Sequence, residues 1–361
     1  HNSTDYFFAY QYNNSGLKQE FNVTLSNDAN FSGIKCLNLN GTNSCVFKDK
    51  LNYIHIVNMN SKNDSYYNTS VYEESRDSVP AVGDIDNDGS YEAVFWFNED
   101  NSSGYGFLVF DLSNRSLKKS FNHSGIVDNI FSPLILGPSL FHHLFMLKGQ
   151  PVLADLNNDN KLEIAASVFY DDSDNSGSFV TDWYTEMFVY NPNGTKLFSK
   201  CETGLIRCND GFGEASGGAK WEGTNPFVMD YDKNGFDDIC FIKDEKFGYF
   251  FSYMALNCYN YNGDEIARVN LSNNAGFIQG TVMAADMNSD GNEDIVTPNS
   301  IYLHNGKQIF TYDLSELHPI ATDIDGNKGL DLAWTKGNQT KVFLDNNNYT
   351  IDLSISDKDI N

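Results

Sequence analysis

Asp84-Ile85-Asp86-Asn87-Asp88-Gly89-Ser90-Tyr91-Glu92 places side-chain oxygens at its first, third, fifth and ninth positions, and four gapless copies of this pattern follow. The second copy carries Asp155, Asn157, Asp159 and Glu163 at those positions. The third carries Asp230, Asp232, Asn234 and Asp238. The fourth carries Asp286, Asn288, Asp290 and Asp294, and the fifth Asp323, Asp325, Asn327 and Asp331. Short oxygen side chains at alternating positions, a tight turn at position six and a later carboxylate suit a hard cation such as Ca2+, which takes six to eight oxygens. The backbone carbonyl of position seven is the expected further ligand: Ser90, Lys161, Phe236, Asn292 and Gly329. Glycine at position six permits the positive φ of the turn. Three copies have it, Asn160 is a workable substitute and Lys328 a poor one. Up to five Ca2+ ions are therefore expected. The first loop, with four carboxylates against three in each of the others, is expected to bind best and the fifth worst.

The flanks decide what the loops connect. An EF-hand needs a bidentate Glu at position twelve and a following helix. Here position twelve is Phe95, Ala166, Phe241, Thr297 or Trp334, and a short apolar, β-prone run follows each loop. Extended stretches precede them, opened in four cases by Pro80, Pro151, Pro226 and Pro319. Each loop thus joins two strands. A third strand is expected near Gly106–Phe110, Met187–Tyr190, Tyr249–Tyr253, Ser300–Leu303 and Lys341–Leu344. A fourth follows turns such as Asn191-Pro-Asn-Gly194, Asn262-Gly-Asp264 and Asn305-Gly306. Four-stranded units repeated along the chain predict an all-β fold, a β-propeller of about seven blades with six possible. Residues 80–361 hold the repeats. Residues 1–79 lack a loop but contain strand-like runs, so they supply one or two degenerate blades, or else a β-cap or a strand given to a neighbouring subunit.

The loops and their flanks resemble the FG-GAP/VCBS repeats of integrin α-subunit heads and microbial surface proteins. The fourth copy is nearest, with Gly276-Phe277 upstream, Val282-Met-Ala-Ala-Asp286 leading into the loop and Thr297-Pro298 after it; Gly211-Phe-Gly213 precedes the third. The resemblance implies a calcium-binding propeller and a role in surface adhesion or structure.

Composition narrows the classes further. Lys and Arg number 24 against 49 Asp and Glu, a formal charge of −25, and only four residues are Arg. That excludes the basic stripe a nucleic-acid partner requires and disfavours a polybasic lipid surface. Apolar residues at 40% and aromatics at 14% are enough for a sizeable core. Of 45 Asn, fourteen head an Asn-x-Ser/Thr triplet: Asn2, Asn13, Asn22, Asn30, Asn40, Asn63, Asn68, Asn101, Asn114, Asn122, Asn193, Asn270, Asn338 and Asn348. These are candidate N-glycosylation sites of an exported chain. Six Cys form three close pairs, Cys36 with Cys45, Cys201 with Cys208 and Cys240 with Cys258. Each brackets a plausible hairpin, so disulfides are expected, although spacing alone does not fix connectivity. No apolar stretch is long enough to insert in a membrane. An extracellular or cell-surface location follows, with a signal peptide taken to have been removed.

The expected function is adhesion or surface structure through a protein or glycan ligand, with self-assembly possible. Candidate contact loops are Asp171–Gly177 and Gly211–Gly223, the latter containing Trp221. A lectin is the alternative, using Trp183 and Trp221 to stack on sugars. A lyase or hydrolase ranks lower, because no Gly-x-Ser-x-Gly, His-Glu-x-x-His or P-loop is present. His142–His143 and the terminal His1 offer no catalytic arrangement on their own.

Overall fold

The computed structural model describes residues 6–13, 16–25, 33–39, 41–49, 53–69, 79–98, 105–123, 150–173, 181–203, 225–247, 251–271, 282–298, 300–311, 320–322, 330–336, 339–344 and 349–354. These residues form strands and turns, with no helix among them. Seven antiparallel sheets follow one another in chain order. Sheet A has two strands (Tyr6–Asn13 and Gly16–Thr24). Sheets B to G have four each and span residues 35–68, 81–123, 152–203, 227–271, 283–311 and 320–354. Every strand pairs with its sequence neighbour, so each sheet is an uninterrupted meander. Residues 1–79 accordingly supply one complete four-stranded sheet and one two-stranded pair.

Alternation along the inner strands explains how the sheets stack, because successive side chains point to opposite faces. In the second strand of sheet C (Glu92–Asn98), Ala93 and Phe95 pack with Val46 and Ile54 of sheet B. Val94 and Trp96 turn the other way, onto Ile164 and Phe188 of sheet D. Sheet D repeats the device: Ala165, Met187 and Val189 meet Ile239 and Phe241 of sheet E. Cys240 and Ile242 then face Ile295 and Tyr302 of sheet F, whose Val296 and Ile301 reach Leu332 of sheet G. Val23 and Leu25 close the series against Phe47 and Val57 of sheet B. These strands read as continuous apolar runs because both faces are covered. Each buried Phe or Leu contributes about 1.5–3 kcal/mol of transfer free energy.

The first strand of each of sheets C to F is only three residues long: Ala81–Gly83, Val152–Ala154, Phe227–Met229 and Met283–Ala285. These short strands contact one another in succession, as in the inner rim of a propeller. The nine-residue loops leave their ends, and so stand side by side.

Cys36–Cys45 and Cys240–Cys258 are disulfides between directly opposed residues of neighbouring strands. Cys201 lies on the fourth strand of sheet D, whereas Cys208 is outside the described residues. One local expectation needs correction. Asp171–Ser173 is not loop but the end of an eleven-residue strand (Glu163–Ser173), paired with Thr181–Trp183. The hairpin propagates there because its ladder hydrogen bonds outweigh the low β-propensity of Asp and Ser. The third strand of sheet E is described from Phe251 to Tyr259, and Tyr249 lies outside the described residues. Residues 174–177, His142–His143, Gly211–Gly223 with Trp221, Gly276-Phe277, and the fifth loop from Asp323 through Asp325 and Asn327 to Gly329 lie outside the described residues, as does the side chain of Trp183. Asp331 opens the second strand of sheet G.

Candidate metal centres

Each of the first four loops connects the first and second strands of its sheet, and each is built by the same backbone hydrogen bonds. The position-one aspartate accepts from two amides. Asp84 takes the N–H of Asp88 at 3.0 Å and of Gly89 at 2.9 Å. Asp155 takes those of Asp159 and Asn160, Asp230 those of Asn234 and Gly235, and Asp286 those of Asp290 and Gly291. Position five then accepts from the amide of position seven, as in Ser90 to Asp88, Lys161 to Asp159, Phe236 to Asn234 and Asn292 to Asp290. These Asx-type bonds are local, which is why the motif is visible in sequence.

Two residues per loop are left-handed. Position six is so in all four, with φ of 88° at Gly89 and 62° at Asn160, as the glycine pattern predicts. Position four is also left-handed, at Asn87, Asn158, Lys233 and Ser289, with φ between 56° and 59°. Sequence reading missed these, because Lys and Ser carry no signal for a conformation that costs a side chain about 1–2 kcal/mol.

The ninth position anchors the loop from below. Glu92, Glu163, Asp238 and Asp294 are buried, and one oxygen of each accepts the amide of position two, at 3.0 Å in the first three and 3.2 Å at Asp294. Burial pushes these carboxyls up, against the partial relief of that amide. Glu163 and Asp238 rise to about 7 and Asp294 to about 6, with neighbouring loop aspartates adding to the rise. Glu92 is also raised by burial, and Lys118 counteracts it. A desolvated carboxylate among other carboxylates favours any partner that brings positive charge.

Three-carboxylate groups with convergent oxygens occur at Asp84, Asp86 and Asp88 and at Asp230, Asp232 and Asp238, and both can hold a metal ion. The fourth loop shows the demand for one most plainly. Asp294 is fully buried, and its second oxygen, Oδ1, has no hydrogen-bond partner. A buried carboxylate oxygen without a donor is costly, and the neighbouring charges of Asp290 and Asp286 add to that cost. The residues present therefore fit a hard divalent cation. The amide of position seven is engaged as described, and its carbonyl remains the expected ligand.

Adjacent loops are also joined to one another. The Leu162 amide donates to the Ile85 carbonyl at 2.9 Å. Asp237 accepts the Asp155 amide at 2.9 Å, and Glu293 accepts the Asp230 amide at 3.1 Å. Burial raises both acids, opposed by the amides they accept. Asp237 and Glu293 are the eighth residues of their loops. The repeat pattern singles out only the ninth, so this bridging role is not apparent from spacing.

The first loop differs from the rest. Lys118, on the fourth strand of sheet C (Ser116–His123), sets Nζ 2.8 Å from Glu92 Oε1, 3.0 Å from Asp88 Oδ2 and 3.0 Å from Asp86 Oδ2. The ammonium thus sits among the oxygens of positions three, five and nine. A cleft of about 430 Å³ between sheets C and D opens beside it, lined by Asp86, Glu92, Lys118, Asp159, Lys161 and Asn193 among others.

Of the candidate glycosylation sites, Asn63, Asn68, Asn114, Asn193 and Asn270 have described side chains, and all five are exposed. Among the described residues no helix is long and apolar enough to cross a membrane.

No family model matches the chain, and no curated protein does either. Among solved structures, the rhamnogalacturonan lyase of Bacillus licheniformis aligns at 15% identity with a TM-score of 0.42, over 81% of this chain and 55% of that one. This chain therefore spans about half the length of that enzyme. The Dos1 propeller aligns at 10% identity and a TM-score of 0.42, over 96% and 73% of the two chains. The V. cholerae biofilm matrix protein Bap1 aligns at 11% and 0.29, over 84% of each. With similarities this low, the all-β, propeller-like architecture rests on the sheet order and stacking of the chain itself.

Proposed function

We propose that this chain is an extracellular, glycosylated, calcium-binding β-propeller that acts in surface adhesion or structure. Its seven sheets are seven blades, with the two-stranded sheet A an incomplete one, and Ca2+ is bound in loops between first and second strands, those of sheets D to F among them. The observation that carries this reading is the fourth loop, where a buried Asp294 oxygen without a donor lies under the charges of Asp286 and Asp290, on a backbone geometry shared by four loops. Calcium supplies the missing positive charge there, and the chain's part is to hold five to seven oxygens in place. Two cross-strand disulfides and five exposed glycosylation triplets support an extracellular setting.

Such a ring of loops is a rigid scaffold. Its ligand is an extracellular protein or glycan, or a second copy of the chain in a surface layer. The test is thermal unfolding of the native protein in chelator and after Ca2+ is restored. A rise in midpoint on adding Ca2+ and none with Na+ is expected, and no rise would remove the metal reading. A glycan array then separates the ligand classes: strong, selective hits would replace adhesion by the lectin reading.

A further inference from the structure

The four described loops are nearly identical in backbone, yet the first has an ammonium from another strand paired with three of its carboxylates. Lys118 reaches it from the fourth strand of its sheet because of a β-bulge. Leu117 pairs with Phe110 and Lys119 with Val109, which leaves Lys118 as the unpaired extra residue. A bulge re-aims the side chain of the residue it expels from the ladder. Sheets D, E and F carry a bulge at the same place. There the unpaired residues are Leu197, Ile266 and Ile309. One structural position on the fourth strand is therefore lysine once and aliphatic three times. Lys233 of the third loop reaches Asp290 of the fourth as a neighbouring charge, not through the bulge position.

The consequence shows at position nine. In the first loop the second oxygen of Glu92 is met by Lys118 Nζ at 2.8 Å. In the fourth loop the corresponding oxygen of Asp294 has no hydrogen-bond partner. A compact, strongly hydrated ammonium with three donors satisfies the oxygens of positions three, five and nine that a divalent cation would otherwise take. The loop richest in carboxylates is the one supplied with its own counter-charge.

We infer that Lys118 is the resident cation of the first loop, which closes without metal, whereas the second, third and fourth loops depend on a bound divalent ion. The inference rests on the calcium reading for those three loops, but its test separates the two. The cleft beside Lys118 leaves the ammonium accessible to solvent, so an ion could reach the site if the lysine released it; the lysine's tether keeps its local concentration high, and free Ca2+ must compete with it.

Hydrogen exchange resolved by loop, on the native glycosylated protein, decides the matter. On moving from Ca2+ at about ten times the dissociation constant into chelator, amides in 156–163, 231–238 and 287–294 should exchange about tenfold faster. Those in 85–92 should change by less than about twofold, since no ligand is lost there. In chelator, Lys118→Met should itself speed exchange in 85–92 about tenfold. Added Ca2+ should reverse that, and the bound calcium count should rise by one over the parent. Ile309 is exposed on the corresponding bulge of sheet F, so Ile309→Lys should make 287–294 insensitive to chelator and lower the count by one. If 85–92 in the parent responds to chelator as strongly as the other loops, Lys118 is displaced by metal and the inference is wrong. It is equally wrong if Lys118→Met leaves exchange in 85–92 unchanged. If 156–163, 231–238 and 287–294 ignore chelator, the calcium reading fails instead, and the Lys118→Met measurement in chelator still decides the role of the lysine. Should Lys118→Met not fold, the parent and Ile309→Lys carry the test.

Discussion

Sheet B and sheets C to F share one meander and one mode of stacking, but different chemistry holds their ends. Sheet B has no nine-residue loop, and Gly41, with φ of 82°, stands between its first two strands. Its polar anchor is His55, fully buried on the third strand (Tyr53–Asn58). Nδ1 lies 2.8 Å from Asp64 and Nε2 3.2 Å from Asp49, and Phe47 stacks on the ring at 4.7 Å. Burial pulls the imidazole down, but hydrogen bonds and charge from both aspartates outweigh it and leave it pushed up to about 9. Asp49 also accepts the Tyr53 amide at 2.8 Å. A proton and two carboxylates stand at the turn between the second and third strands of sheet B, where sheet C has a lysine among the carboxylates of its first-to-second-strand loop and, on the function proposed above, sheets D to F have an exchangeable cation.

That comparison can be broken most forcefully by removing calcium. At a hundredfold excess over the dissociation constant each filled loop adds about 3 kcal/mol, so chelation should cost several kcal/mol in urea unfolding. Cooperative loss centred on sheets D to F is expected, with sheet B keeping its amide protection. Asp49→Ala should do the reverse, costing about 3–5 kcal/mol by leaving a buried charged imidazole short of one partner. Its loss should be the same with and without Ca2+.

The pH dependence sharpens the contrast. His55 is raised in the folded state, so its contribution is complete below its unfolded value of about 6.5 and disappears as pH rises through about 9. That loss amounts to about 3 kcal/mol. Lys48 is pushed down to about 8 by burial, which Asp49 only partly offsets, and it opposes the trend above that pH. Glu163 and Asp238, raised to about 7, add to the fall up to that pH in the absence of metal, so the part of the fall between pH 6.5 and 8 that Asp49→Asn flattens is the part that belongs to His55. A parent protein whose stability is level across that window would exclude a protonated His55.

Two glycines give the smallest effects. Gly306, in a strand-joining turn, has φ of 81°, and an added Cβ would stand 2.5 Å from Val269 Cγ1 and 2.7 Å from the Asn270 carbonyl oxygen. Gly306→Ala should cost about 1–3 kcal/mol from overpacking and strain together. Gly291 has the same φ, but nothing lies within 4 Å of its added Cβ. Gly291→Ala should cost about 1 kcal/mol of backbone strain alone. Because Gly291 belongs to a metal loop, that cost should appear as weaker Ca2+ affinity in calorimetry, whereas Gly306→Ala should leave affinity intact.

The sequence by itself determined what depends on residues near one another in the chain. Asx bonding, a turn glycine and a buried carboxylate all fall within nine residues, so the four described loops, their flanking strands and the hairpin turns at Gly194, Gly263 and Gly306 were legible. So were the cross-strand pairs Cys36–Cys45 and Cys240–Cys258. Only the tertiary structure decided which groups meet across strands and sheets. Lys118 lies 26 residues from Glu92 and reaches it because of a bulge, which no residue type announces. Comparing fourth strands would have offered one hint, a lysine where the others carry Leu197, Ile266 and Ile309. Asp237 and Glu293 bridge to loops 82 and 63 residues upstream, and Asp49, His55 and Asp64 converge from three separate places in sheet B. Local hydrogen bonds are set by chain connectivity, whereas these contacts exist only once register and stacking bring distant side chains within reach.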